Sequence, residues 1–430
     1  MIKILNSKSK NFDLALDKLL LARKNKIKLS SVSVAKIIED VKKNGDKAII
    51  KYEKKFNKNN IIMPTSKQIN KSISLLDEKV KKAIDLAYSR IYQFHLLQKK
   101  KLSNISYTDK LKNKLEYKYV PLESVALYVP GSTVSYPSSV LMNAIPALVA
   151  GVKRIIMINP GQQGKQNSAV LYAAQKCKIK EIYSIGGPSA IAGVAYGTKK
   201  IKKVDKIVGP GNSYVAAAKK EVFGDVGIEG MTAGPSEVTI VCDKFSNPEW
   251  VASDLIGQAE HDTLAQCILI SNSKDMIKKV KIEIIKQLKE LPRVTIARNS
   301  ILKNGILIHI TSKKKTIDVV NKISPEHLEL NIKNYKNIVN KIKNSGSICV
   351  GKYAVMAMTD YNVGSNHVLP TNSSSRYSSG ISVNEFIKRI SYINISKKGI
   401  ETLGPSVITL ANYEGLTGHA KSVEKRIRRK

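Results

Sequence analysis

The chain has 430 residues, of which 43% are hydrophobic and 25% are charged. At roughly 150 residues per domain, this length predicts two to three domains, and the composition excludes a disordered or collagen-like chain. No apolar run approaches the roughly 18 residues of a membrane helix, and the first residues show no signal-peptide pattern. The four cysteines lack CxxC spacing, which argues against a disulfide framework or a thiolate zinc site. We therefore expect a cytoplasmic enzyme without a membrane partner.

The net charge of +38 is the most unusual property of the chain. Lys and Arg total 72 residues, of which only 10 are Arg, and the Lys residues are spread along the whole sequence. Nucleic-acid-binding proteins instead cluster their basic residues and favour Arg where a phosphate or a guanine is bound by two donors. The charge therefore indicates a general enrichment in Lys, and we expect no nucleic-acid partner.

The pattern of apolar residues changes near Val125. Before this point, apolar residues recur every three or four positions, as in DLALDKLLLAR and in the segment that ends at Gly45, whereas 104–121 has the pattern of one or two strands. After it, short apolar strands alternate with helices, which predicts parallel α/β layering.

Gly- and Pro-rich loops follow three of these strands, at Pro130-Gly131, Gly186-Gly187 and 209–212. Because ligands bind outside the carboxyl ends of parallel strands, these loops are candidates for a cofactor-binding site. None of them carries a GxGxxG fingerprint, so the spacing alone does not identify a dinucleotide.

The segment NPEWVASDLIGQAEHD predicts a helix that carries polar groups on its apolar side. Asn247 is the expected N-cap, with a proline at the first helical position. The apolar stripe through Val251 and Leu255 continues to Gln258 and His261. Two inward polar side chains need hydrogen-bond partners or a metal, and from this helix alone both interpretations stay open.

The segment ISPEHLEL predicts the start of another helix, with Ser324 as the cap and Pro325 at the first helical position. Glu326 and His327 then lie in the first turn, on different faces, where the helix dipole favours an ionised carboxylate and a neutral imidazole. Both forms suit bases. An ordinary acidic first turn is the alternative.

Two later segments add polar groups without an evident structural need: Asp360 and His367 in TDYNVGSNHVLPT, and Glu414 and His419 in EGLTGHA. One glutamine, one aspartate and two histidines from distant segments together form a mixed nitrogen and oxygen set that suits zinc.

Several motifs together resemble the histidinol dehydrogenase family over nearly the whole chain, from about residue 25 to the tail. They are GPGNSYVAAAK at 209–219, AGPSEV at 233–238, DLIGQAEH at 254–261, SPEHLEL at 324–330, NHVLPT at 366–371 and EGLTGHA at 414–420. The resemblance implies four-electron oxidation of L-histidinol through L-histidinal to L-histidine, the last step of histidine biosynthesis. It also implies one Zn²⁺ per subunit, NAD as the oxidant, and a homodimer.

The resemblance assigns roles to individual residues. It implies that the acid–base pair is Glu326 and His327, and that the NAD contacts include Tyr128, Ser189 and Asn212. The implied zinc ligands, which also lie at the substrate, are Gln258, His261, Asp360 and His419. The remaining implied substrate contacts are Ser236, Glu414 and His327.

Three positions depart from the family pattern, and two of them touch the cofactor side. Gly131-Ser132 stands where the family usually has two glycines. GGPS replaces a GGAQ-like turn, which leaves Ser189 at the cofactor-contacting position. Glu229-Gly230-Met231 appears in place of Asp-Met and adds one residue. These departures put the strength of NAD binding in question more than metal binding.

The resemblance also implies the architecture, which is two Rossmann-like α/β domains in an aldehyde-dehydrogenase-like arrangement. Residues 1–25 form an N-terminal helical arm. Residues 26–125 and 239–380 form a discontinuous domain that carries the zinc and acid–base residues, and 126–238 form an inserted NAD-binding domain. Residues 381–430 form a C-terminal dimerisation module that docks on the partner subunit, because so short a piece cannot bury a core alone.

Three alternatives remain at the sequence level. The chain could oxidise another polyol or amino alcohol, as sulfopropanediol-type dehydrogenases do, or it could be a non-catalytic basic scaffold built on such an enzyme. If the chain is a histidinol dehydrogenase, a cysteine could catalyse the aldehyde step in place of Glu326.

Overall fold

The computed structural model describes residues 2–25, 31–59, 61–131, 135–161, 165–230 and 234–427. The strands are β1 (Lys3–Asn6), β2 (Ile105–Thr108), β3 (Lys114–Pro121), β4 (Ser124–Tyr128), β5 (Arg154–Ile158), β6 (Glu181–Tyr183), β7 (Lys206–Val208), β8 (Gly227–Ile228), β9 (Glu237–Cys242), β10 (Gln266–Ser271), β11 (Ile306–His309), β12 (His327–Asn331), β13 (Ser347–Val350) and β14 (Ile387–Asn394). The helices are α1 (Phe12–Asn25), α2 (Ser31–Asn44), α3 (Asp46–Asn57), α4 (Ser66–Ser74), α5 (Glu78–Lys101), α6 (Pro137–Ala150), α7 (Ser168–Lys176), α8 (Gly187–Tyr196), α9 (Ser213–Glu221), α10 (Pro248–Ala259), α11 (Lys274–Gln287), α12 (Val294–Asn304), α13 (Lys313–Ile323), α14 (Lys336–Val339), α15 (Met356–Tyr361), α16 (Lys397–Tyr413) and α17 (Thr417–Ile427).

The first sheet is parallel and has five strands in the order β6-β5-β4-β7-β8. Its strands alternate with helices α6 to α9, as the sequence predicts. Side chains of β4 point alternately to the two faces, so Val125 and Leu127 enter one apolar core while Ala126 and Tyr128 enter the other. Helices cover both faces, which is the arrangement that a parallel sheet requires.

The second sheet is also parallel and has six strands in the order β1-β11-β10-β9-β12-β13. Helices α10, α11 and α12 bury their apolar sides against one face of this sheet, whereas α1 and α13 cover the other. The α/β class and the two parallel sheets predicted from the sequence are confirmed.

The packing of the N-terminal third differs from the predicted domain boundaries. Residues 26–125 were assigned to the discontinuous domain, yet helices α2 to α5 pack on the five-stranded sheet: Val34 and Ile38 lie in one of its cores and Ile91 in the other. In contrast, β1 of the arm forms the edge of the six-stranded sheet, and Leu16 of α1 is buried in that sheet's core. The reason is the sheet itself, because two apolar faces need cover that α6 to α9 do not fully supply.

The predicted helix that begins at Ser324 is wrong. Ser324 adopts a left-handed backbone conformation, with φ of 50°, and ends α13. His327 then opens strand β12, whose five residues are all buried. Backbone hydrogen bonds to β9 and β13 on either side outweigh the local capping signal.

The C-terminal module docks partly on its own chain. Strand β14 pairs antiparallel with β3, which in turn pairs with β2 to complete a three-stranded sheet. Helices α16 and α17 pack against each other, and the module leaves apolar side chains in contact with solvent: Leu403, Val407, Leu410, Tyr413 and Leu416. No helix in the described ranges is both long enough and apolar enough to cross a bilayer.

Candidate active site

Apart from Glu414 and His419, the predicted site residues lie on the two parallel sheets and the segments next to them. Ser236 and Glu326 immediately precede β9 and β12, which run parallel and are neighbours, so they share the amino edge of the six-stranded sheet. Asn212 follows β7 and lies at the carboxyl edge of the five-stranded sheet. A cavity of about 420 Å³ lies beside this region and is lined by Asn212 from one sheet and by Pro235 and Asp262 from the other. The described residues that line it do not include Glu326 or His327.

His327 is the buried centre of the polar cluster. Strand register places it opposite Ser347 on β13, and its Nδ1 lies 3.1 Å from the Ser347 hydroxyl oxygen. Its Nε2 lies 4.0 Å from Oε1 of Glu326 and 3.8 Å from Oδ1 of Asp360. The imidazole therefore has a neutral partner on one nitrogen and two carboxyl groups near the other.

Glu326 is fixed by the backbone of the neighbouring strand. Its Oε2 accepts a hydrogen bond of 2.8 Å from the amide of Glu237, the first residue of β9. Only 6% of Glu326 is exposed to solvent. One carboxyl oxygen is thus held by the sheet while the other points towards His327.

Gln258 and His261 meet at the end of α10, as the sequence predicts, although His261 lies two residues beyond the last helical residue. Asn247 caps this helix through its side chain, which confirms that prediction. Gln258 is fully buried, with its Nε2 3.5 Å from Nδ1 of His261.

Two buried oxygen atoms in this cluster have no hydrogen-bond donor among the described residues: Oε1 of Gln258 and Oδ1 of Asp360. A buried acceptor without a donor costs about 1–3 kcal/mol, so native structures rarely keep one without a ligand or ion. An amide oxygen, a carboxylate oxygen and the imidazole of His261 are ligands that zinc accepts. The donor set therefore fits a zinc ion.

His367, for which the sequence predicts no specific role, belongs to the same cluster. Its Nδ1 lies 2.7 Å from the carbonyl oxygen of Asp360, and its Nε2 lies 3.4 Å from the hydroxyl of Ser139 on α6. It therefore connects the six-stranded side of the cleft to a helix of the five-stranded side.

Burial keeps the imidazoles of this cluster neutral at pH 7. Removal from water lowers the pKa of His327 to about 3, with His367 and His261 adding further repulsion. It also lowers the pKa of His367 to about 4, and it lowers that of His261 although the residue retains solvent exposure. Neutral imidazole is the form that accepts a proton or binds a metal.

Burial has the opposite effect on the carboxyl group of Asp360 and raises its pKa to about 7. A divalent cation at this position would favour the ionised form.

Two predicted residues lie outside the cluster within this single chain. Glu414 and His419 are exposed at the junction of α16 and α17, and among the described residues neither makes a hydrogen bond or an ion pair with the cluster. Consistent with this, the described part of the chain contains no group of three His, Cys, Asp or Glu residues spaced to hold a metal. A fourth protein ligand would have to come from elsewhere.

The predicted cofactor contacts shape the loops of the five-stranded sheet. The Tyr128 hydroxyl accepts a hydrogen bond of 3.1 Å from the amide of Gly187, and burial raises its pKa to about 12. Ser189 is buried and donates to the carbonyl of Gly186. Asn212 caps α9 through its side chain and is exposed at the cavity. Ser132 and Met231, which mark two of the departures from the family pattern, lie outside the described residues.

Buried charged residues that the sequence did not single out support these loops. Glu53 accepts a hydrogen bond of 2.8 Å from the amide of Gly186, and burial raises its pKa to about 7. The ammonium group of Lys219 donates to the carbonyl oxygens of Gly209 and Glu229, and burial lowers its pKa to about 7. The Lys219 bond ties the loop after β7 to the loop after β8.

Buried acids and bases with displaced pKa values, gathered in a cleft between two parallel sheets, define an enzyme active site of the α/β class. A family model described as histidinol dehydrogenase matches residues 21–427. A histidinol dehydrogenase from Pelagibacter ubique is 82% identical over 430 residues, which is all of both chains. One from Agrobacterium fabrum is 45% identical over 92% of each chain. The crystal structure of histidinol dehydrogenase from Elizabethkingia anophelis superposes with a TM-score of 0.90 at 35% identity, covering 99% of this chain and 98% of that one.

The chain therefore belongs to the histidinol dehydrogenase family. It is accordingly an oxidoreductase with a role in histidine biosynthesis, and the resemblance seen in the sequence motifs is confirmed.

Gln258→Met tests whether the unpartnered amide oxygen is a metal ligand. Without metal, the variant should be at least as stable as the wild type, and by up to about 1–3 kcal/mol more stable, because an unsatisfied buried acceptor is removed. Added zinc should raise the melting temperature of the wild type and not that of the variant.

Gln287→Met makes the same chemical change outside the cluster and should leave the zinc effect intact. Thermal and urea unfolding, each with and without zinc, measure both quantities. Equal stabilisation by zinc of wild type and Gln258→Met would remove Gln258 from the ligand set.

Proposed function

We propose that this chain catalyses the zinc- and NAD-dependent, four-electron oxidation of L-histidinol through L-histidinal to L-histidine. The observation that carries the proposal is the pair of buried oxygen atoms of Gln258 and Asp360, which have no hydrogen-bond donor in the described part of the chain, in the cluster around a neutral His327. Family membership supplies the substrate, because the relatives are named for histidinol.

Gln258, His261 and Asp360 would hold the zinc ion, with His419 of a second copy as a further ligand. Bound there, zinc would act as a Lewis acid on the substrate hydroxyl, and NAD would accept one hydride in each of the two oxidations. The residues that would contact NAD are Tyr128 at the end of β4, Ser189 in α8 and Asn212 at the start of α9. Ser236 and Glu414 are the remaining proposed substrate contacts.

His327 takes the hydroxyl proton in the first oxidation. We assign the hydrogen on Nδ1 to the bond with Ser347, which leaves the lone pair of Nε2 on the side of Glu326 and Asp360. The low pKa keeps this nitrogen free of a proton at neutral pH. The imidazolium that forms is stabilised by the carboxyl groups of Glu326 and Asp360 at 4.0 and 3.8 Å.

Glu326 activates water in the second oxidation. The aldehyde gains one oxygen from water, loses a second hydride, and leaves as the carboxylate. The balance is one histidinol, one water and two NAD⁺ converted to one histidine, two NADH and three protons. Glu326 suits the removal of a proton from water because the Glu237 amide holds one of its oxygens while the other lies 4.0 Å from Nε2 of His327.

A cysteine nucleophile is not supported by the structure. All four cysteines are buried and free of disulfides. Burial raises the pKa of Cys242, Cys267 and Cys349 to about 12 and that of Cys177 further, so none is a thiolate at neutral pH. Four free thiols also agree with the proposed cytoplasmic location.

The C-terminal module supports the proposal of a homodimer. Helix α16 exposes a row of apolar side chains that no described part of the chain covers, and His419 lies exposed on α17 of the same module. A second copy that buries this face would bring His419 and Glu414 into the neighbouring cluster. Closed two-fold symmetry then gives two equivalent composite sites.

The direct test of the function is the stoichiometry of the reaction. Zinc-loaded protein should form two NADH for each L-histidinol consumed, and removal of zinc with a chelator should abolish turnover until zinc is restored. Sulfonated propanediols, the substrates of the nearest rival function, should give no NADH under the same conditions. Turnover of a sulfonated diol in preference to histidinol would replace the proposal with that rival.

Glu326→Gln and His327→Asn should damage different half-reactions. Loss of the imidazole slows alcohol oxidation, because no base then receives the hydroxyl proton. Loss of the carboxylate slows mainly the aldehyde step, and a base of this kind typically contributes about 10²- to 10⁴-fold. Rates measured separately with histidinol and with histidinal distinguish the two, and equal defects of both variants on both substrates would refute this division.

Mixing two inactive variants tests the composite site. In a heterodimer of His419→Ala and His261→Ala chains, a shared site places both lesions in one pocket and leaves the other intact. About half of the wild-type activity per heterodimer should therefore return. A confirmed heterodimer without activity would show that His419 serves its own chain.

A further inference from the structure

The carboxyl groups of Asp254 and Glu329 are hydrogen-bonded to each other, on the elements that also carry Gln258 and His327. Asp254 lies on α10 and Glu329 on β12, and their side chains are hydrogen-bonded. Glu329 is only 2% exposed, and its Oε1 accepts a hydrogen bond of 2.7 Å from the amide of Met356. None of the roles proposed above uses this pair.

The pair connects the three elements that carry the cluster. Asp254 precedes Gln258 by one helical turn, so the two share a face of α10. Glu329 follows His327 by two residues, so the two share a face of β12. Met356 is the first residue of α15, whose last turn contains Asp360. One hydrogen-bonded unit therefore connects the segments that carry Gln258, His327 and Asp360.

This unit requires one proton between the two carboxyl groups. Two carboxylates cannot donate to each other, so one partner must be the acid and the other the acceptor. Burial raises the pKa of both carboxyl groups, and the nearby Asp254 raises that of Glu329 further, so the pair retains a shared proton. The other titratable groups beside the pair, Asp360 and Cys349, do not neutralise it.

Stability alone does not account for such a pair. Replacement of buried ionic or polar partners by apolar residues of similar volume is often neutral or stabilising, whereas polar partners fix a particular geometry. The geometry fixed here is that of three elements whose side chains must converge on one point.

We propose that Asp254 and Glu329 are positioning residues of the active site: their shared hydrogen bond, together with the Met356 amide, sets the spacing of Gln258, His327 and Asp360 and so the affinity of the site for zinc. This inference rests on the proposed zinc-dependent function.

The test compares variants of the full-length protein that keep or remove the hydrogen bond. Glu329→Gln keeps both contacts, because its amide group donates to Asp254 and its oxygen accepts from Met356. The double variant Asp254→Leu/Glu329→Met removes both carboxyl groups and leaves no unpaired charge behind. Glu53→Met removes a comparably buried carboxyl group from the five-stranded side and serves as the control.

The measured quantity is the zinc dissociation constant, obtained by competition with a chromophoric chelator, beside the melting temperature of each metal-free protein. Glu329→Gln and Glu53→Met should stay within about threefold of the wild type. The double variant should remain folded and bind zinc roughly 10-fold or more weakly, a loss typical of residues that orient metal ligands.

A folded double variant that binds zinc within threefold of the wild type would overturn the positioning role and leave the proposed function in place. If the double variant does not fold, Glu329→Gln decides: near-wild-type affinity supports the neutral, hydrogen-bonded pair, and a 10-fold loss contradicts it. A wild-type protein that binds no zinc would overturn both the positioning role and the proposed function.

Discussion

The active site depends on the parallel pairing of β12 between β9 and β13. This register places His327 opposite Ser347, which occupies one nitrogen of the imidazole, and brings the Glu237 amide to Glu326. Acid and base are thus held by backbone and strand geometry rather than by flexible loops. A shift of the register by one residue would turn His327 to the opposite face of the sheet, and the imidazole would lose its contacts with Ser347 and the two carboxyl groups.

Two sheets contribute opposite edges to the cleft. The five-stranded sheet presents the carboxyl ends of its strands, where parallel sheets usually bind ligands, with Tyr128 at the end of β4 and Asn212 in the loop after β7. The six-stranded sheet presents its amino edge, which carries Glu326 and His327. His367 connects the two sides through Ser139 on α6. The cofactor side and the chemical side are therefore built on separate scaffolds, and the position of one relative to the other depends on such bridging contacts.

Local signals in the sequence predicted what depends on local interactions. The Asn247 cap, the end of α2 before Gly45 and the alternation of strands with helices from Val125 onward all appear in the structure. The polar pair at Gln258 and His261 was also visible, because polar residues replaced expected aliphatic ones on an apolar stripe, although only Gln258 is buried and His261 is exposed.

What the sequence did not predict depends on contacts between distant segments. Ser324 and Pro325 together predict the start of a helix. The following residues instead form a strand, because they pair with β9, which lies nearly 90 residues earlier in the chain. The assignment of α2 to α5 to the five-stranded sheet depends on which apolar face is left uncovered, and no local pattern records that. The pairing of Asp254 with Glu329 likewise exists only after α10 and β12 have packed.

The charge states of the cluster residues point to one common ligand. The cluster holds neutral imidazoles, a carboxyl group with a raised pKa and two buried oxygens for which the described residues supply no donor. A cation in the centre would stabilise this combination. Anomalous diffraction at the zinc absorption edge, from crystals of the zinc-loaded protein, tests this directly. If zinc binds at this cluster, one peak per chain should lie at about 2.0–2.2 Å from both Oε1 of Gln258 and Oδ1 of Asp360. A zinc peak elsewhere in the chain, or no peak at this cluster in an active protein, would contradict zinc binding by these residues.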